Sequence, residues 1–158
     1  MSDLVQVETK GLDETQANLQ RAAAQLRGPG LEPAMKAATL AITRDAKIYA
    51  PFDRGHLRAS IKPEIRQRDT VLEGVVGSNL EVYPAAQELG TAPFWPPIAA
   101  LEVWAERHHT SAFIVARAIA RRGIRAIHYL QRAFDKNKSA IEALLKRAVE
   151  GIVREANE

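Results

Sequence analysis

The chain contains no cysteine among its 158 residues. Disulfide scaffolds, cysteine-ligated zinc, iron–sulfur clusters and cysteine nucleophiles all need thiols, so the sequence excludes them. Aromatic residues are scarce at 6%, and only four histidines occur. The remaining composition, 46% hydrophobic and 26% charged, is typical of a globular protein and unlike collagen or a disordered chain. A single domain over residues 1–158 is therefore predicted.

Long uncharged runs are also missing. A membrane span needs about 20 nearly uncharged residues, whereas the best run, 89–101, is shorter and contains Pro93, Pro96 and Pro97. The start Met1-Ser2-Asp3 has no basic region followed by an apolar core, so we expect no secretion signal. The sequence predicts a soluble protein made inside the cell, with no membrane partner.

Residues that could carry out catalysis are few. His108 and His109 are adjacent, so on a helix they point about 100° apart and cannot share a metal ion as an i, i+4 pair can. His56 and His128 have no acidic residue at ligand spacing. The turn at 28–30 lacks the Lys-Ser/Thr that a phosphate-binding loop needs. We therefore expect no enzymatic activity, no metal and no cofactor.

Charge is distributed unevenly along the chain. Residues 1–106 carry a net charge of −3 and residues 107–158 a net charge of +6. The basic part is suited to a polyanion or an acidic partner surface, although solvated arginine-rich helix faces would give the same pattern. The candidate interface or lumen residues are Arg117, Arg121, Arg122, Arg125 and Arg132.

The pattern of apolar residues, prolines and glycines predicts an α+β fold: a small antiparallel β-sheet covered by helices, with a helical C-terminal third. Helices are predicted over 13–27, 31–49, 97–107, 111–122 and about 135–157, and strands over 4–9, 60–66, 71–76 and 80–83. A helical insertion is expected at about 95–122. Pro63 predicts an edge or bulged strand. The apolar stripe from Ile141 to Val153 is either core or a subunit interface.

Three short motifs follow one another along the chain. The first ends a helix at a proline, passes a glycine turn and enters a strand; its residues are Pro51, Asp53, Gly55, Leu57, Arg58, Ser60 and Ile61. The second comprises Gly77, Tyr83, Glu88, Gly90 and Thr91. The third comprises Trp95, Pro96, Pro97 and Trp104. Gly55 and Gly90 are expected to adopt turn conformations that a β-carbon disfavours.

In this order, the motifs resemble the tail-completion, or head–tail joining, family of long-tailed bacteriophages over most of the chain. That family has an "APxxTGxLRxSI"-like segment, a β-hairpin, a "YxxxxExGT" motif and a helical C-terminal region. One branch also carries a "WPPxxxLxxW" insertion. The chain departs from the pattern at Arg54, where threonine is usual, and at 127–129, where Ile-His-Tyr replaces Arg-Pro-Phe.

The resemblance implies a non-enzymatic structural protein of a phage or prophage virion. Such proteins form a ring, typically hexameric, at the neck between the capsid connector or stopper and the tail-terminator or tail-tube proteins. Duplex DNA passes through the lumen without sequence-specific contacts. Two alternatives stay open: a tail-terminator ring, and a DNA-binding accessory protein that uses the basic C-terminal third. The resemblance and the complementary charges also suggest that Arg58 pairs with Glu88 or Asp53.

Overall fold

A β-hairpin and the helices around it form the protein. The computed structural model describes residues 12–52 and 55–157, and its α+β organisation confirms the predicted fold class. The elements in chain order are α1 (Leu12–Leu26), α2 (Glu32–Tyr49), α3 (His56–Ser60), β1 (Ile61–Arg68), β2 (Val71–Ser78), α4 (Tyr83–Leu89), α5 (Ile98–Arg107), α6 (Ala112–Arg122) and α7 (Tyr129–Ala156). The strand predicted over 4–9 lies outside the described residues.

The two strands pair antiparallel, from Ile61 opposite Ser78 to Arg68 opposite Val71. Asp69 occupies the tight turn with φ 50°, a left-handed conformation that aspartate tolerates better than most residues. Pro63 lies opposite Val76. Because the described sheet has only two strands, each strand is an edge, as the proline predicts.

The main core lies where α2 packs against both the hairpin and α7. Its buried residues are Ala46, Ala50, Leu57, Ile61, Tyr129 and Ala133. Gly74 lets α2 approach the hairpin closely, because a β-carbon there would lie 2.6 Å from Cγ2 of Thr39. Small residues on the helices thus bring α2, α7 and the hairpin together around the side chains of Tyr129, Ile61 and Leu57.

A smaller cluster joins α1 to the end of α7. Ala22, Ile152 and Ala156 are buried there and pack against Leu26 and Leu31. The apolar stripe of α7 is therefore core at Ile152. Its other members are half-buried or exposed: Ile141, Leu144, Leu145 and Ala148 are half-buried, whereas Val149 is 36% exposed and Val153 43% exposed.

Three local predictions need correction. Residues 80–83, predicted as a short strand, do not form one: residues 80–82 lead into helix α4, which begins at Tyr83 and has proline in its first turn. The last helix begins at Tyr129 rather than near residue 135. The segment before β1 contains the short helix α3 rather than a turn alone.

A charged group lies inside this fold. Asp45 on α2 is only 1% exposed and accepts a 2.7 Å hydrogen bond from the side-chain amide of Asn137 on α7. Arg44 and Lys136 each approach its carboxylate to 3.2 Å. The hydrogen bonds from Asn137 and Arg44 lower the pKa of Asp45 from 3.8 to about 2. The carboxylate therefore stays ionised and ties α2 to α7.

Candidate functional site

The first motif turns the chain from α2 into β1. Gly55 has φ 77°, as expected, and Leu57 and Ile61 are buried in the main core. The hydroxyl of Ser60 donates to the carbonyl of Leu57 at 2.7 Å and lies 2.6 Å from the hydroxyl of Ser78 on β2. Pro51, which follows the end of α2, is half-buried. These residues build a structural corner.

Arg58 completes this corner in a way the sequence did not predict. Its Nε and Nη2 donate to the carbonyl of Ala50 at 3.0 and 2.8 Å, and its guanidinium lies 5.1 Å from the ring centre of Phe52. The predicted ion pair with Glu88 is therefore wrong, because the helix-end carbonyl takes up the guanidinium. Asp53, the other proposed partner, lies outside the described residues.

Glu88 instead caps the last helix. Its two carboxylate oxygens accept hydrogen bonds from the backbone N–H groups of Leu130 and Gln131, at 2.8 and 3.0 Å. Helix N-termini expose unpaired N–H donors and favour negative charge. Glu88 thus fixes where α7 begins, although the sequence analysis assigned it only to a motif.

The residues after Glu88 form the base of a projecting pair of helices. The N–H of Thr91 donates to the carbonyl of Ile124 at 2.9 Å, and the N–H of Ile124 donates back to the Thr91 hydroxyl at 2.9 Å. Gly90 and Gly123 flank this pair with φ of 74° and 71°. Since a β-carbon on Gly123 would lie 2.0 Å from the Thr91 carbonyl oxygen, only glycine fits.

Helices α5 and α6 pack on each other and have few contacts with the other helices and strands. We refer to residues 92–122 as the arm. Ala105 and Ala116, which are 2% and 0% exposed, mark the interface between its two helices. The predicted helical insertion at about 95–122 corresponds to this arm.

The tryptophan motif lies on the arm and is largely exposed. The Trp95 ring packs edge-on against Phe113 with centroids 5.8 Å apart, and Trp104 stacks on His108 at 3.9 Å. Trp95 is 54% exposed, whereas Pro96 is buried and Pro97 directly precedes α5. The arm therefore presents aromatic surface outward.

An apolar groove separates α5 from the first motif. It has a volume of about 340 Å³ and is lined on the arm by Ala100, Val103 and Trp104. Leu57 and Tyr83 line the opposite wall. Gly77 lies away from it in β2, opposite Lys62.

Four of the five candidate arginines lie together at α6. Arg117 and Arg121 line one groove, Arg125 lines the adjacent one, and Arg122 contributes to both. No carboxylate of the described residues lies within salt-bridge distance of any of them. Residues 107–134 contain no Asp or Glu, so this surface is strongly positive.

Arg132 has a different environment. It lies on the first turn of α7, and its guanidinium stacks over the ring of Tyr49 on α2, 4.4 Å from the centroid. It therefore helps to hold α7 on α2 and is not part of the positive surface of α6.

The exposed apolar residues of the arm were not predicted from the sequence. Ile114 is 61% exposed and lies three and seven residues before Arg117 and Arg121, so all three share one helix face. That i, i+3, i+7 spacing was a readable signal.

Among the described residues, no group of three or more histidine and acidic side chains is arranged to hold a metal ion. None of the helices in the described ranges has the length and apolar content of a membrane span. Comparison of the chain with protein-family models, with curated proteins and with solved structures finds no match.

Proposed function

We propose that the protein is a structural subunit that assembles into a ring, and that this ring lies at the head–tail junction of a phage or prophage particle. The observation that carries the proposal is the arm, which has few contacts with the remaining described helices and strands (the body) and exposes aromatic, aliphatic and charged side chains. Such a surface is typical of a protein–protein interface, where aromatic residues and arginine are enriched.

A ring subunit needs surface for two neighbours. A closed ring uses two different patches of each subunit, one for each neighbour, and standard interfaces bury about 800 Å² on each partner. The exposed aromatic and aliphatic side chains of the arm are suited to such a patch.

The finer assignment, tail completion, is supported by the order of the three motifs. In this chain the first motif builds the corner between α2 and β1, and Glu88 to Thr91 build the cap of α7 and the base of the arm. In the proposed ring, connector and tail proteins bind opposite faces, DNA passes through the lumen, and the protein performs no catalysis.

Deletion of the gene tests this proposal. Heads should still fill with DNA and tail tubes should still polymerise, so separate heads and tails accumulate, and added purified protein restores joining. A tail-terminator ring would instead give tails of uncontrolled length. Infectious particles from a complete deletion would contradict both assignments.

The arginine surface of α6 supports a second candidate, a DNA-binding accessory protein. Four phosphate contacts would make the logarithm of the duplex affinity fall with the logarithm of salt concentration with a slope of about −3.6. The joining protein should show a slope near zero in isolation. A steep slope combined with normal head–tail joining in the deletion would favour the accessory protein.

A further inference from the structure

The two helices of the arm carry opposite charges on their outward surfaces. On α5, Glu102 and Glu106 are exposed, and Val103, which lies beside them and also lines the groove towards the first motif, is 41% exposed. On α6, the face of Ile114, Arg117 and Arg121 points away from Ala116, which is fully buried. Each surface thus combines an exposed aliphatic residue with two charges of one sign. We refer to them as the acidic stripe and the basic stripe.

Neither stripe is neutralised within the described chain. No salt bridge joins Glu102 or Glu106 to a described lysine or arginine, and none joins Arg117 or Arg121 to a described carboxylate. By contrast, Glu64 pairs with Arg66, and Glu73 with Arg68, on the exposed hairpin. The charges of the two stripes are therefore available to a partner.

The two charges of the acidic stripe have the same spacing along their helix as the two charges of the basic stripe. Charges four residues apart on a helix are separated by about 6 Å along its axis, and this holds for both pairs. Along the chain, Glu106 and Arg117 are the stripe residues nearer to the loop that joins α5 to α6, and Glu102 and Arg121 each lie about one helical turn farther from it.

We propose that the arms of neighbouring copies stack, with the basic stripe of one copy on the acidic stripe of the next. This contact uses two different surfaces of the same chain, so it repeats head-to-tail and closes into a ring. The inference rests on the proposed ring and names the surface that forms it. Ile114 and Val103 supply the apolar part of the contact, and the charges select the register.

Duplex DNA is a poorer occupant of the basic stripe. The stripe presents Ile114, which is 61% exposed, beside the arginines, and phosphate contacts make no use of a large aliphatic side chain. DNA would also leave the acidic stripe without a role. Neighbouring copies of the chain place a basic stripe on an acidic one, so one kind of contact neutralises both stripes.

Charge reversal tests the stacking. The variant Arg117→Glu/Arg121→Glu has two acidic stripes, and Glu102→Arg/Glu106→Arg has two basic ones. Each alone should stay monomeric in sedimentation velocity at low salt, whereas a 1:1 mixture should form alternating oligomers. The matched control, Lys138→Glu/Arg147→Glu on the exposed face of α7, should assemble as the wild type does. Circular dichroism and melting establish that every variant is folded.

Cross-linking makes the test independent of how strongly the isolated protein associates. Because the chain has no cysteine, Val103→Cys and Ala118→Cys each introduce a unique thiol without removing a stripe charge. A short bismaleimide should join a mixture of the two variants into a dimer. It should give far less dimer with either variant alone, and a ladder of rising oligomers with the double variant.

Absence of the mixed cross-link, together with no oligomers in the charge-reversed mixture, would overturn the inference. Loss of duplex DNA binding in Arg117→Glu/Arg121→Glu without recovery of assembly in the mixture would also overturn it, in favour of a DNA-facing surface. The ring at the head–tail junction can fail separately: arms that stack as described, with normal joining in the gene deletion, would refute the location alone.

Discussion

Thr91 and Ile124 are joined by two reciprocal hydrogen bonds, each 2.9 Å long, at the point where the chain enters and leaves the arm. One bond runs between backbone groups and the other uses the threonine hydroxyl. This pair, with the flanking glycines, attaches α5 and α6 to the body. It sets the direction in which the arm projects and so the position of both stripes.

Gly123→Ala should break this attachment. The left-handed φ and the 2.0 Å approach to the Thr91 carbonyl oxygen predict a loss of more than about 3 kcal/mol in the free energy of unfolding. Gly151→Ala is the matched control, because its β-carbon meets open space within helix α7. That change should stabilise the protein by about 0.5–1 kcal/mol. Urea unfolding measures both, and equal effects would contradict the described geometry.

Glu88→Ala should weaken the start of α7. It removes the acceptor for two backbone N–H groups, and we expect a loss of about 1–2 kcal/mol. Glu88→Gln, which keeps one acceptor oxygen but not the charge, should fall between the wild type and Glu88→Ala. Exposed Glu81→Ala serves as the control. Amide hydrogen exchange should show faster exchange at Leu130 and Gln131 in the Glu88 variants only.

Tyr129→Phe should leave the fold intact and stabilise it. The Tyr129 hydroxyl is buried with no hydrogen-bond partner among the described residues. Burial, together with the nearby charges of Glu88 and Tyr83, raises its pKa to about 12. Removing an unsatisfied buried hydroxyl is worth about 1 kcal/mol, whereas Tyr129→Ala should cost about 3–5 kcal/mol through the cavity it leaves. A destabilised Tyr129→Phe protein would mean that the hydroxyl has a partner.

Asp45 should give the protein an acid-sensitive stability. Its pKa is lowered in the folded protein, so its contribution is fully present above pH 3.8. This contribution is lost as the pH falls from there through about 2. Asp45→Asn should be less stable at neutral pH and should lack this part of the acid dependence. Glu142→Gln, on the exposed face of α7, should keep the wild-type profile. Thermal unfolding measured between pH 2 and 7 separates these outcomes.

Several parts of the fold could be predicted because the residues that determine them are close together in sequence. These parts are helices α1 and α2, the hairpin and the glycine at the end of α6. Apolar spacing, proline and glycine mark them within a few residues. The start of α7 could not be predicted, since its cap, Glu88, lies 42 residues before Leu130 in sequence. Helix α4 was not predicted either: residues 80–83 were assigned to a short strand, whereas the helix begins at Tyr83.

The same distinction applies to the candidate site. The arginines of α6 were recognised from their density in the sequence. Arg58 was assigned the wrong partner because its acceptor is a backbone carbonyl, which a charge-matching argument does not consider. Asp45 and Asn137 are 92 residues apart, and nothing in either local sequence indicates that they meet.

The way the arm is attached affects how the sequence can change in evolution. Residues 91 and 124 are hydrogen-bonded to each other. The arm is therefore a loop whose two ends are held together where it joins the body. Lengthening or shortening that loop alters chain entropy only slowly. The arm can therefore acquire, lose or resize its helices while the packing of α2, α7 and the hairpin is kept. The arm, which is the part of the molecule proposed to contact partners, is free to diverge faster than the part that forms the core.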